Sequence, residues 1–130
     1  MSSILSRNDD AQATALKAAI TSALRSTWQA RDFDEKTDDP IHVYVSVARR
    51  YGGDPRLSGT VTGTGWRFTA RCVGVDVGAA RAAMEDVAAL EGTRIVVAGT
   101  TSQPIRFESA QAPEPDDGWY SGQSTWTYGF

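Results

Sequence analysis

Two stretches of this chain alternate between apolar and polar positions, and both predict strands with one buried face. Ile41, Val43, Val45 and Val47 interleave with His42, Tyr44, Ser46 and Ala48. Trp66, Phe68, Ala70 and Cys72 interleave with Arg67, Thr69 and Arg71. Successive side chains of a strand point to opposite faces, so each stretch offers one apolar and one polar side. A third alternation closes the chain: Tyr120, Trp126, Tyr128 and Phe130 share one parity, against Ser121, Gln123, Thr125 and Thr127. An aromatic face of this kind either completes the core as a sheet strand or docks onto another subunit.

Period 3.6 replaces period 2 in two places. Leu16, Ile20, Leu24 and Trp28, with Ala19 and Ala23 beside them, predict a helix over 10–28 that Asp9 or Asp10 could cap, laid over one face of the sheet. Val77, Ala80, Met84, Val87 and Ala88 predict a second helix over 77–90, capped by Asp76, ended by Glu91-Gly92 and rich enough in alanine to lie close to the sheet. Short strands are expected at 93–98 and 105–109, and the acidic, proline-bearing stretch 112–118 reads as a solvated loop. Residues 30–40 read as a solvated linker, and 51–65, with its many glycines, as a long hairpin connection. The sum is one domain over 1–130, residues 1–8 flexible, of α+β class: a mostly antiparallel or mixed sheet of about five strands with two helices packed on it.

Composition narrows the function classes. A chain of 130 residues that is 41% hydrophobic can build one core without disulfide or metal support. The single cysteine, Cys72, suits a reducing compartment, and no apolar run has the length of a signal peptide or a membrane span, so a soluble protein made in the cytoplasm is expected. A formal charge of −3 argues against a dedicated duplex binder.

Candidate chemistry is sparse. Asp32, Asp34, Glu35, Asp38 and Asp39 lack the alternating ligands and central glycine of a calcium loop. His42 has no second histidine or nearby cysteine and reads as a surface residue. Cys72, on the Trp66/Phe68 side of its strand, reads as a small core residue. The glycines before Trp66 precede a strand, not a helix, and no lysine follows, so they do not form a phosphate-binding loop. No enzyme, metal or cofactor is expected. The charged features left over are Arg49, Arg50 and Arg56 with Tyr51 around the glycine-rich connection, and Glu114, Asp116 and Asp117 before the last strand. Arg67 and Arg71 should face solvent or a partner.

The order of these elements resembles the tail terminator family of long-tailed bacteriophages, of the lambda-like and actinobacteriophage kind. The resemblance rests on the helix from Leu16 to Trp28, the strand Ile41 to Val47 with its glycine-rich loop, and Arg71-Cys72-Val73-Gly74 leading into a helix. It continues through the short strand pair between Thr93 and Phe107, the acidic Pro115-Asp116-Asp117-Gly118, and the aromatic strand Trp119 to Phe130. It implies a virion structural protein at the head-proximal end of the tail, a hexameric ring that caps the tail tube, stops its polymerisation and meets the head-completion or connector protein. DNA would pass through the lumen only as cargo, and no membrane is involved. A closed ring needs two different complementary patches per subunit. Arg49, Arg50, Tyr51 and Arg56 are candidates for one, and Glu114, Asp116 and Asp117 for the other. The alternatives are another head-tail connector or tail-tube-like subunit and, in a different class, a small-ligand-binding regulatory domain.

Overall fold

The strand that alternates from Trp66, β3 (Gly65–Gly74), lies in the middle of a five-stranded sheet. The computed structural model describes residues 2–24, 30–32, 41–49 and 65–130. Helix α1 (Ser2–Ala23) leads to β1 (Ala30–Asp32) and β2 (Ile41–Arg49); after β3 come α2 (Val77–Ala88), β4 (Val96–Val97), β5 (Thr100–Thr101), β6 (Arg106–Asp116) and β7 (Trp119–Gly129). The main sheet has the order β1-β2-β3-β7-β6, and β4 and β5 form a separate two-stranded ribbon. Among the described residues only β1 and β2 run parallel; β2, β3, β7 and β6 pair antiparallel. Two helices on a mostly antiparallel sheet make this the expected α+β fold.

Both helices lie on one side of the sheet, because the pleat puts most of the large apolar strand residues there. Val43 and Val45 from β2, Trp66, Phe68, Ala70 and Cys72 from β3, and Trp126 and Tyr128 from β7 form one buried cluster with Leu16, Ile20 and Leu24 of α1 and Ala83 and Val87 of α2. Trp66 pairs in register with Tyr128, and Phe68 with Trp126, so the core is an aromatic ladder across β3 and β7. The closing strand therefore completes the core. A buried hydrogen bond from the Tyr128 hydroxyl to Gln12 Oε1, 2.6 Å, ties the last strand to α1.

Helix α2 comes unusually close to the sheet. Asp76 caps it, its side chain accepting from the Ala79 amide at 2.7 Å. A Cβ placed on Gly74 would stand 2.6 Å from the Ala80 nitrogen, and one on Gly122 would stand 2.6 Å from the Met84 sulfur. The small residues Gly74, Gly122, Ala80 and Ala83 thus let the helix rest on β3 and β7.

Four segments differ from the sequence expectation. Helix α1 starts at Ser2, so Asp9 and Asp10 lie within it and cannot cap it, and Trp28 falls outside the described residues. Residues 30–32 form β1, since a three-residue parallel edge strand has too short a period to register in the sequence. Thr93 to Ala98 adds no strand to the main sheet; Val96–Val97 folds back on Thr100–Thr101 through Ala98-Gly99, both at positive φ. Most of the expected acidic loop 112–118 is instead the far half of β6, and only Asp117-Gly118 turns, with φ of 51° and 85°. Proline is tolerated there because β6 is an edge strand with register shifts between Phe107 and Ser109 and between Gln111 and Glu114.

Replacing Gly74 by alanine presses a methyl group onto the α2 backbone, which cannot yield as a flexible side chain would. G74A is expected to lose about 1–3 kcal/mol in denaturant unfolding, while G78A, where a Cβ meets only the Asp76 carboxylate at 3.4 Å, stays near the parent. Burial, aided by Asp86, pushes the Cys72 thiol from an ordinary 9.0 up to about 12. The folded state therefore holds this proton more tightly than the unfolded chain. The associated stability is complete below pH 9.0 and lost progressively as pH rises toward about 12. Urea titrations across that window should show a shallower alkaline decline for Cys72→Ala than for the parent; equal slopes would assign the decline to other groups.

Candidate functional site

Beyond the helix-covered core, the sheet has a second face that no described element covers. It carries Ser46, Thr69, Thr125 and Ser109 in one cross-strand row, and Tyr44, Arg71, Gln123 and Gln111 in another. Thr69 and Thr125 hydroxyls meet at 3.1 Å. Two arginines of β3 reach over β7 to acids of β6. Arg67 donates to Glu108 at 2.7 Å, and Arg71 donates to Asp116, whose carboxylate also accepts from Ser121 at 2.9 Å. The hydrogen bond to Glu108, and then its charge, raise the Arg67 pKa further. Glu108 can reach the polar face because it sits in the first β6 register shift.

The strand directions put the backbone of Arg49 and Asp116 with the Asp117-Gly118 turn at opposite ends of the sheet. β2 leaves the sheet at Arg49, opposite Trp66, where β7 also ends. Asp116 faces Trp119 at the other end, beside the level where Ile41 faces Gly74 and Gly74 faces Tyr120. Eight residue steps of β2 separate the ends by about 27 Å. Arg50, Tyr51 and Arg56 lie outside the described residues, as does the connection from 50 to 64; of the basic set only the backbone of Arg49 is described.

The acidic candidates do not behave as one patch. Asp116 is spent within the subunit on Arg71 and Ser121. Glu114, paired in register with Ser121, borders a hollow with Arg71 and Gln123. Asp117, in the turn, is exposed and makes no ion pair among the described residues. The intramolecular pairing of Asp116 was missed in the sequence because the arginine lies 45 positions away; the Asp-Gly turn, by contrast, is a readable hairpin signal.

His42 is a correction: it is 4% exposed. It sits between Tyr44 and Trp119, with centroids at 5.0 and 5.4 Å and ring planes at 75° and 69° to its own. Strand parity assigned it to the polar face, which is right, but parity does not reveal that Trp119 roofs that end of the face. Cys72 is fully buried, and its raised pKa keeps it a neutral thiol. Among the described residues no three His, Cys, Asp or Glu side chains converge as a metal site, and no helix is long and apolar enough to cross a membrane.

No family model and no curated protein matches the chain. Solved structures do. The chain is similar to one in the virion of a native gene transfer agent particle, at 18% identity and a TM-score of 0.59, over 89% of this chain and 94% of the other. A second solved chain, which carries no functional name, is similar at 16% identity and a TM-score of 0.60, over 99% and 95%. At these identities the likeness is one of fold.

The Arg71–Asp116 pair fastens the edge hairpin to β3. Arg71→Met should leave global stability within about 1 kcal/mol, as for other half-exposed pairs. Amide exchange at Trp119 and Tyr120 should speed by about 5-fold, while that of Val43 and Val45 stays unchanged. Unchanged exchange at the turn would mean that the β6–β7 ladder alone holds the hairpin.

Proposed function

We propose that this chain is a structural virion subunit of the tail terminator kind. In this reading six copies close head-to-tail into a ring at the head-proximal end of a phage-like tail, cap the tail tube, end its polymerisation and receive the head connector. DNA passes through the lumen as cargo. The chain turns over no substrate and needs no cofactor. The observation that carries the reading is where the strands end: β2 stops at Arg49, with Arg50 next in sequence, at one end of the sheet, and Asp117 stands in the turn at the other. Basic and acidic residues at opposite ends of one subunit suit a heterologous interface, which closes as a ring when the rotation between copies allows it. The fold likeness to a chain of a gene transfer agent virion supports the same reading. The buried setting of His42 and the neutral Cys72 thiol favour a protein that acts through its surfaces.

Native mass measurement over a wide concentration range, with electron microscopy of large species and of tail tubes incubated with the protein, tests this. A six-subunit ring, free or seated on tube ends, is the expected result. Open cylinders would point to a tube subunit, and a monomer that leaves tube ends bare would overturn the proposal. Reversing Arg49 and Arg50 to Glu should abolish ring formation at low salt; unchanged rings would remove the basic end from the interface.

A further inference from the structure

The aromatic end of the polar face contains a hollow of about 250 Å³, walled by His42, Tyr44, Val73 and Trp119 and rimmed by Arg71, Asp116 and Asp117. We propose that this hollow is a binding site for an arginine side chain presented by a neighbouring subunit. Naming a subunit as the source rests on the assembly reading above; the chemistry of the hollow does not.

Charge decides the class of ligand. Arg71 and Asp116 neutralise each other across the rim, which leaves the Asp117 carboxylate, exposed and without an ion pair among the described residues, as the net charge at the mouth. An anion would meet this carboxylate and find the arginine already engaged. A cation meets it favourably and gains the rings of Tyr44 and Trp119, both half-buried and held in place by edge contacts with His42. The guanidinium is planar, weakly hydrated and able to pack on aromatic walls while it donates to a carboxylate, so arginine suits the site better than lysine. The site is also preorganised. Trp119 follows the two-residue Asp117-Gly118 turn directly, and the turn is anchored through Asp116 to Arg71 and Ser121.

The test is a titration of the full chain in its single-subunit state, reached by dilution or by the Arg49→Glu/Arg50→Glu exchange so that no neighbour fills the hollow, with Nα-acetyl-L-arginine amide, followed by the Trp119 indole resonance, which Trp119→Phe assigns. Nα-acetyl-L-citrulline amide, equal in shape but uncharged, is the control. A saturable shift with the arginine compound and none with citrulline is expected. Asp117→Asn, which retains a residue that tolerates positive φ, should weaken binding by about 2- to 5-fold. Tyr44→Leu should weaken it by about 2- to 30-fold. An equal response to citrulline, no saturable response, or an arginine response indifferent to Asp117→Asn would overturn the proposal. Failure here is separable from failure of the assembly reading. A protein that forms six-subunit rings but whose single subunits show no Trp119 response to arginine overturns the ligand alone, whereas an arginine-responsive protein that never assembles overturns the terminator reading and the neighbouring subunit as source.

Discussion

The close seat of α2 on the sheet is the constraint from which the other features follow. Gly74 and Gly122 have no room for a Cβ, and the helix meets them with alanines and the end of Met84. With α2 held at that distance and α1 beside it, most of the large apolar side chains of β2, β3 and β7 are covered from one side. Among the described residues, the apolar surface on the other side is confined to Val73, Tyr44 and Trp119 at one end, and no described element packs over it. The polar face is the counterpart of the tight apolar one, and it leaves a broad surface on which hydrogen-bonding and charged side chains can be arranged.

That surface is organised across the strands. The arms of Arg67 and Arg71 both pass over β7 to reach β6, an edge strand: nearly all of its side chains are exposed, and its register shifts twice. The same features make β6 a poor template for adding another strand. Its bulges bend the edge, Pro113 and Pro115 supply no amide, and Arg106 and Glu108 place charges along it. Association by edge pairing is thus disfavoured, and contacts at the strand ends, as in the proposed ring, become the economical alternative.

Much of this was legible in the sequence, where the signal was periodic. Alternation named Val43 and Val45 of β2 and Trp66, Phe68, Ala70 and Cys72 of β3 as buried, though not His42 and Val73 of the opposite parity, and the Asp76 cap located α2. The aromatic parity of the last strand identified Trp126 and Tyr128 as core. What was not legible depends on long-range pairing. β1 is too short to carry a pattern, the far half of β6 looks like a loop until its edge position excuses its prolines, and the burial of His42 depends on Trp119, far along the chain. The candidate site divides in the same way. The acidic residues were recognised by charge, but which of them is free depended on a partner brought in by β3.

That division bears on how a charged end can serve an interface. A carboxylate already bonded to Arg71 and Ser121 must surrender those bonds before it can serve a neighbour, so Asp116 acts better as a brace than as a contact. Asp117 surrenders nothing of the kind, and the turn beneath it has lost its conformational freedom during folding, before any partner arrives. An interface built in this way draws its orientation from the rigid brace and its charge from the neighbouring residue. The two adjacent aspartates, alike in sequence, are separated in role by one strand register: Asp116 closes the β6–β7 ladder opposite Trp119, and Asp117 begins the turn.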